Sequence, residues 1–517
     1  MVKRNNFKKS FCFLVIGVSF RAHYQLLNYN SIKFRIPFLS VAFLISVFFI
    51  NLYAFGELVY PVDTNKYCKG YRLSSESKSF TPVLDSLEIL HKEWRKKLSN
   101  KDIKDAYKSV YEQQQGFINS SLFLFDRQLY PKVNKILQRI KKANPQYQTF
   151  NHVLISRSRV PNAYCYGNGI IVINLGMMSL LKNEAQLAAL LGHEFAHHAL
   201  KHMEKGILYK KAHQNDKEVK KKRRKINRSE YEQNARYEQY RLENAMVYRA
   251  QNRFFESQAD SLSIELLKNT TYDASESLSL LNILNICDQE KYNVKLDYVE
   301  IFSNGEYVLD NKRLLNKEGM ELEEIVDPEI INALKTHPDC KERIKNIVPL
   351  INGDTNKEPH FEVEFELIGK QSDYEMLYHD IESKRFALCI KNALLLNHAE
   401  YDPLLNIIVA NCLAEIYFAQ KDHLLWNYLP MPDEDFQWNY HQLLVIIENI
   451  RLSELKQLAN AFIEKVMNDK DSNALNCDGY LDYLKLQKKC ISENRMPTVE
   501  EKTSLQRQHP TNSFLIN

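Results

Sequence analysis

The stretch 190-LLGHEFAHHALKHMEK-205 carries four histidines and two glutamates in sixteen residues. It follows 179-SLLKNEAQLAA-189, an Ala- and Leu-rich run that predicts a helix with Ser179 as its N-cap. On that helix His193 and His197 are four residues apart and face one side, so two imidazoles can grip one ion. Glu194 is displaced from that ligand direction and sits where it could hydrogen-bond a water on the ion. This is the H-E-x-x-H arrangement. The competing reading is a solvated helical face that happens to be rich in His and Glu. The motif alone is only moderately specific, so the rest of the chain has to decide.

A catalytic zinc needs three protein ligands and an open position. In one class of zinc peptidases a third histidine follows ten residues after the first. Here that position is Met203, and Leu200 replaces the glycine of that pattern. The other class takes a glutamate from a later helix. The stretch 256-ESQAD-260 offers Glu256, 256 − 197 = 59 residues past the second histidine, within an apolar-periodic segment. Asp260 lies one turn further on and could accept the second ring N–H of a liganding histidine. The expected metal ligands are therefore His193, His197 and Glu256, with Glu194 as general base and Asp260 orienting a ligand. His198 and His202 read as structural helix histidines.

H-E-F-A-H-H-A-L-K-H followed by E-S-Q-A-D resembles the gluzincin family of the CAAX prenyl endopeptidases, the HtpX heat-shock protease and their exported bacterial relatives. The resemblance spans about Val83 to Leu350. It includes 162-NAYCYGNGIIVINLGMM-178, similar to the family's edge strand and following helix start, and Thr336-His337-Pro338 with Arg343. It implies one Zn2+ per chain and an extended polypeptide substrate paired to the strand at Asn162 and Ala163. It also implies catalytic parts for His337 and Arg343 near the transition-state oxyanion. The middle of the glutamate motif, Gln258, is a position where relatives differ. Unlike the polytopic members, this chain offers no set of membrane helices for an intramembrane chamber.

Outward from this centre, 517 residues of ordinary globular composition allow more than one core. A net charge of +5 gives no reason to invoke nucleic acid. The nine cysteines show no C-x-x-C pair, which argues against a zinc ribbon or a dense disulfide scaffold. The run 36-IPFLSVAFLISVFFINLYAFG-56 is uncharged and preceded by Lys33 and Arg35, so it reads as a signal peptide or membrane anchor. Either reading puts the catalytic part outside the cytoplasm, in the periplasm; a soluble cytoplasmic peptidase is the alternative if that run is core.

The expected organisation is a basic leader with a signal peptide or membrane anchor over 1–60, a zinc peptidase domain over 78–352, a helical C-terminal domain over 373–492 and a disordered tail over 493–517. The expected fold class is α+β, mostly helical, with a small β-sheet. A tetratricopeptide-like helix-turn-helix spacing lies in 386–420. A hairpin is expected over 298–310 around Asn304-Gly305, one strand in 353–372, and a solvated loop at 220-KKKRRK-225 that could hold anionic lipid or a polyanion. The expected function is a zinc metalloendopeptidase acting on extended or misfolded polypeptide in envelope quality control. The rival is a catalytically quiet chaperone or scaffold that binds protein partners through the C-terminal helices.

Overall fold

The computed structural model describes residues 87–509 apart from 90, 94, 95, 120, 121, 127, 148, 150, 230–232, 288–293, 304–306, 311–339, 352–361, 430–436 and 475–477. The N-terminal apolar run, the Asn304-Gly305 turn and His337 lie outside the described residues. Among the described residues the fold is mostly helical around a four-stranded sheet, as the sequence predicts.

Strands β1 (Phe123–Leu124), β2 (His152–Ser156), β3 (Ala163–Cys165) and β4 (Ile170–Asn174) are ordered β1-β2-β4-β3. The central pair, β2 and β4, is parallel, with Val153 opposite Ile171 and Ile155 opposite Ile173. All five residues of β4 are buried, as an uninterrupted Ile-Ile-Val-Ile run requires when both sheet faces are covered. β3 pairs antiparallel with β4 at the sheet edge.

Helix α1 (Lys101–Asn119) precedes the sheet, and α2 (Leu129–Ala143) buries its stripe Leu129, Val133, Ile136, Leu137 and Ile140 in the sheet's core. The Asn134 amide pins α2 to β2, accepting from Val153 N at 2.9 Å and donating to Val153 O at 3.1 Å. After the short α3 (Leu175–Met178), the H-E-x-x-H segment forms α4 (Glu184–Ala199). Its N-cap is Asn183, which accepts from Gln186 N at 2.8 Å; Ser179 ends α3 instead. An Asx cap one residue before the acidic first turn outcompetes the more distant serine.

Helices α5 (His202–Asn215), α6 (Lys217–Asn227) and the long α7 (Gln233–Lys268) follow. The basic run expected as a loop is the body of α6, capped by Asp216, which accepts from Glu218 N and Val219 N. Its lysines and arginines lie largely exposed along the helix. α7 packs on α4 because Gly192 has no side chain: a Cβ there would stand 2.9 Å from Ser263 Oγ. That close crossing brings Glu256 and Asp260 toward His193 and His197.

Helices α8 (Glu276–Ile286) and α10 (Cys340–Ile347) join this same core, whereas α9 (Tyr298–Phe302), between them in sequence, packs with the C-terminal helices. The expected hairpin strand is α9. Asp297 caps it, and Tyr298 and Phe302, one turn apart, pack their rings 5.5 Å from each other in the core. Similarly, the strand expected in 353–372 gives way to α11 (Val363–Glu382), whose Phe365, Ile368 and Ser372 repeat at helical spacing and are buried.

Helix α11 belongs to two cores. Phe365, Ile368 and Met376 join the sheet-and-α4 cluster, whereas Leu377, Tyr378 and Ile381 join a second cluster. That second cluster is built by α9 together with α12 (Phe386–Ala399), α13 (Pro403–Lys421), α14 (Trp438–Asn449), α15 (Leu452–Asn468) and α17 (Asp478–Ser492), with the short α16 (Lys470–Ala474) between the last two. Residue 373 therefore falls inside a helix. Among the described residues α13 is the helix long and apolar enough to cross a bilayer, and most of it is buried in this core. The tail expected to be disordered contains α18 (Val499–Gln508), held by a Thr498–Glu501 capping box and by Arg495 gripping Glu501 at 2.8 Å with both terminal nitrogens.

Gly176 in α3 is the tightest backbone approach near the site. A Cβ there would lie 2.0 Å from Arg159 O, in the segment leading into β3, and Gly176 N donates to Ser158 O at 3.1 Å. Since the obstacle is backbone, Gly176→Ala should cost at least about 1–3 kcal/mol, the usual range for overpacking. A thermal or urea unfolding midpoint indistinguishable from wild type would refute that close approach.

Candidate metal centre

Three donor atoms converge where α4 meets α7. His193 Nε2 and His197 Nε2 are 3.1 Å apart. Glu256 lies 3.3 Å from His193 Nε2 through Oε2 and 3.4 Å from His197 Nε2 through Oε1. Ligands at about 2.0–2.1 Å from a tetrahedral zinc stand roughly 3.3 Å from one another. The donor set therefore fits an ion of that size, and its two imidazoles and one carboxylate are of the type zinc takes. Among the described residues this is the group of His, Cys, Asp and Glu side chains placed to hold a metal.

A second ring of contacts orients the donors. His193 Nδ1 lies 3.0 Å from Asp260 Oδ1. Arg343, buried on α10, grips Asp260 with two parallel bonds, Nε to Oδ2 at 2.8 Å and Nη2 to Oδ1 at 2.7 Å. Its Nη1 is 3.1 Å from Glu256 Oε2. The guanidinium thus fixes both carboxylates of 256-ESQAD-260. His197 Nδ1 faces His202 Nδ1 at 3.0 Å, and His202 Nε2 faces Gln258 Oε1 at 3.2 Å.

The electrostatics match this geometry. Burial alone would discharge His193, yet hydrogen bonds to Asp260 and Glu256 outweigh it and raise its pKa to about 10. Burial and the charge of His193 press His197 down to about 3. Against burial, His193 and Arg343 hold Asp260 at about 2 and drive Glu256 below the usual carboxylate range. Two ionised carboxylates thus favour positive charge at the donor cluster. Glu194 is different. Burial, aided by Glu256, pushes it up to about 7, although His193, Arg343 and the Cys165 backbone N–H pull the other way. A carboxyl near 7 is matched to taking and returning a proton at neutral pH.

These groups line a cleft of about 1200 Å³ that also touches Asn162, Ala163 and Cys165. Ala163 opens the edge strand, and Asn162 immediately precedes it, its carbonyl accepting from Asn174 N at 3.0 Å. His193, Glu194, His197, Glu256, Asp260, Arg343, Asn162 and Ala163 all reach this one cleft. The contacts of His202 and Gln258 are not foreseen by the sequence reading. Only Lys201, in the left-handed region at φ 56°, ψ 41°, turns the chain so that His202 comes back against α4. No helical periodicity announces such a turn.

No curated protein matches the chain. Residues 126–350, which hold the sheet and every donor of this cluster, match the model of peptidase family M48. That segment belongs to family M48, and the cleft at the crossing of α4 and α7 is that of a metallopeptidase.

Proposed function

We propose that the chain is a zinc-dependent endopeptidase that hydrolyses extended or unfolded polypeptides. The observation that carries this reading is the convergence of His193 Nε2 and His197 Nε2, 3.1 Å apart, with the two carboxylate oxygens of Glu256 3.3 and 3.4 Å from them respectively, and Glu194 buried beside them. Zinc held by three protein ligands supplies Lewis acidity at an open position, polarising a water or a carbonyl. The remaining work falls to side chains. Glu194 takes a proton from the attacking water and returns it to the departing amine. β3, at the edge of the described sheet, would offer its remaining backbone groups to an extended substrate, which adds as a further strand. Arg343 locks Glu256 and Asp260 and contributes fixed positive charge beside the developing oxyanion.

The apolar run 36–56 behind its basic flank supports an exported or membrane-anchored enzyme acting in envelope quality control. Protease protection of a tagged chain checks that location, with shielding of the catalytic part from outside protease as the contrary outcome. For the chemistry, the test is metal analysis coupled to casein cleavage. Purified protein should hold one zinc per chain, lose both zinc and cleavage to a chelator, and regain both when zinc is returned. Undiminished cleavage by metal-stripped protein would end this reading.

A further inference from the structure

Among the described residues, a carboxylate stands behind one of the two donor histidines, His193, through Asp260. His197 Nδ1 instead meets a neutral-type partner, His202 Nδ1, at 3.0 Å. We infer that His202 and Gln258 are positioning residues that set the tautomer and ring angle of His197 for metal binding, through a chain from His197 to His202 to Gln258. This rests on the zinc reading above.

The chain has one consistent proton assignment. A metal-facing Nε2 must keep its lone pair, so a neutral His197 carries its proton on Nδ1. His197 Nδ1–H then donates to His202 Nδ1, which leaves the His202 proton on Nε2. His202 Nε2–H donates in turn to Gln258 Oε1, 3.2 Å away. Each atom finds the role its neighbour requires, and Gln258 at the end is an acceptor that adds no charge. A carboxylate there would place a further negative group beside Glu256 and Asp260 on the same helix.

His202 is built into place rather than left at a helix end. Its ring is buried and stacks on Phe255 with centroids 4.4 Å apart and planes 14° from parallel. The turn that delivers it uses Lys201 in the left-handed region, a conformation that costs a non-glycine residue energy and persists where surroundings demand it. Phe255 and Gln258 flank Glu256 on α7, so one short segment supplies a metal donor, the platform for His202 and the acceptor for His202. The two donor histidines thus receive support of different chemistry, a carboxylate for His193 and an uncharged relay for His197.

The test is zinc affinity by competition with a chelating indicator, together with the visible spectrum of the cobalt(II)-loaded protein. Loss of a partner behind a ligand histidine weakens metal binding about 10–100-fold. His202→Ala should show that loss and a changed cobalt spectrum, and Gln258→Leu a smaller loss in the same direction. His202→Asn, whose Oδ1 restores an acceptor near the Nδ1 position, should recover most of the affinity, which a general packing role for the ring would not produce. Should His202→Ala fail to fold, Gln258→Leu and His202→Asn still decide. Folded His202→Ala or Gln258→Leu with wild-type affinity and spectrum overturns the inference. So does His202→Asn that binds no better than His202→Ala. Wild-type protein that binds no zinc overturns the zinc reading itself, and that is seen before any variant is made.

Discussion

Glu194→Gln should abolish most peptide hydrolysis while leaving zinc bound. The carboxyl is buried, so the isosteric amide fills the same space and the fold should tolerate it. The three donor atoms belong to other residues, so metal content should stay at wild-type level. What disappears is a proton acceptor held near neutrality by burial, at about 7. General acid–base groups contribute roughly 10²–10⁴-fold. The casein-cleavage rate should fall by that factor, equivalent to about 3–5 kcal/mol at 1.36 kcal/mol per tenfold. Zinc analysis and rate are measured on the same preparation. A variant that keeps its zinc and cleaves at an undiminished rate would remove Glu194 from the chemistry.

The residues that this experiment addresses were legible in the linear chain because their relations are local or carried by a short motif. His193 and His197 share a face by helical spacing, and Glu256 and Asp260 share one by the same rule. The small sheet was legible from 170-IIVIN-174 and its punctuation. Where the reading failed, a local signal was outvoted. Asn304-Gly305 suggested a hairpin, but the Asp297 cap and the Tyr298–Phe302 pair make 298–302 a helix. One strand was expected within 353–372, yet Phe365 and Ile368 are three apart and both enter the core from a helix. A run of like charges at 220–225 suggested a loop, although Asp216 caps a helix there. The His202–Gln258 contact depends on a left-handed turn and a partner 56 residues away, and composition encodes neither.

Longest in range, and least visible in sequence, are the ion pairs joining the segment after β2 to α11, and they yield the largest stability effect expected. Arg157 reaches Glu375 at 2.9 Å and Glu382 at 2.7 Å; its side chain is 6% exposed and that of Glu375 0%. Arg159 and Arg385 both bind Asp380, at 2.6 Å and 2.8 Å, and that carboxylate is 1% exposed. Arg157→Ala strips a fully buried carboxylate of its guanidinium, a change that typically costs about 3–5 kcal/mol. The double variant Arg157→Met, Glu375→Leu removes both charges and fills their space, so it should recover much of that loss, since apolar replacement of a buried pair is often neutral. Arg139→Ala serves as the contrast: its pair with Glu184 is half exposed, and such pairs contribute about 0–1 kcal/mol. Unfolding midpoints of the three variants should fall in that order of severity, with Arg157→Ala far the lowest. Were Arg157→Ala to melt with Arg139→Ala, these pairs would be ornamental, and α11 would be a neighbour of the peptidase core rather than a part of it. The shared burial of Phe365, Ile368 and Met376 with the sheet's own side chains argues for the latter. On that argument the C-terminal helices are no detachable appendage: the arginines that anchor them lie only three and five residues before Asn162, at the start of the edge strand proposed to receive substrate.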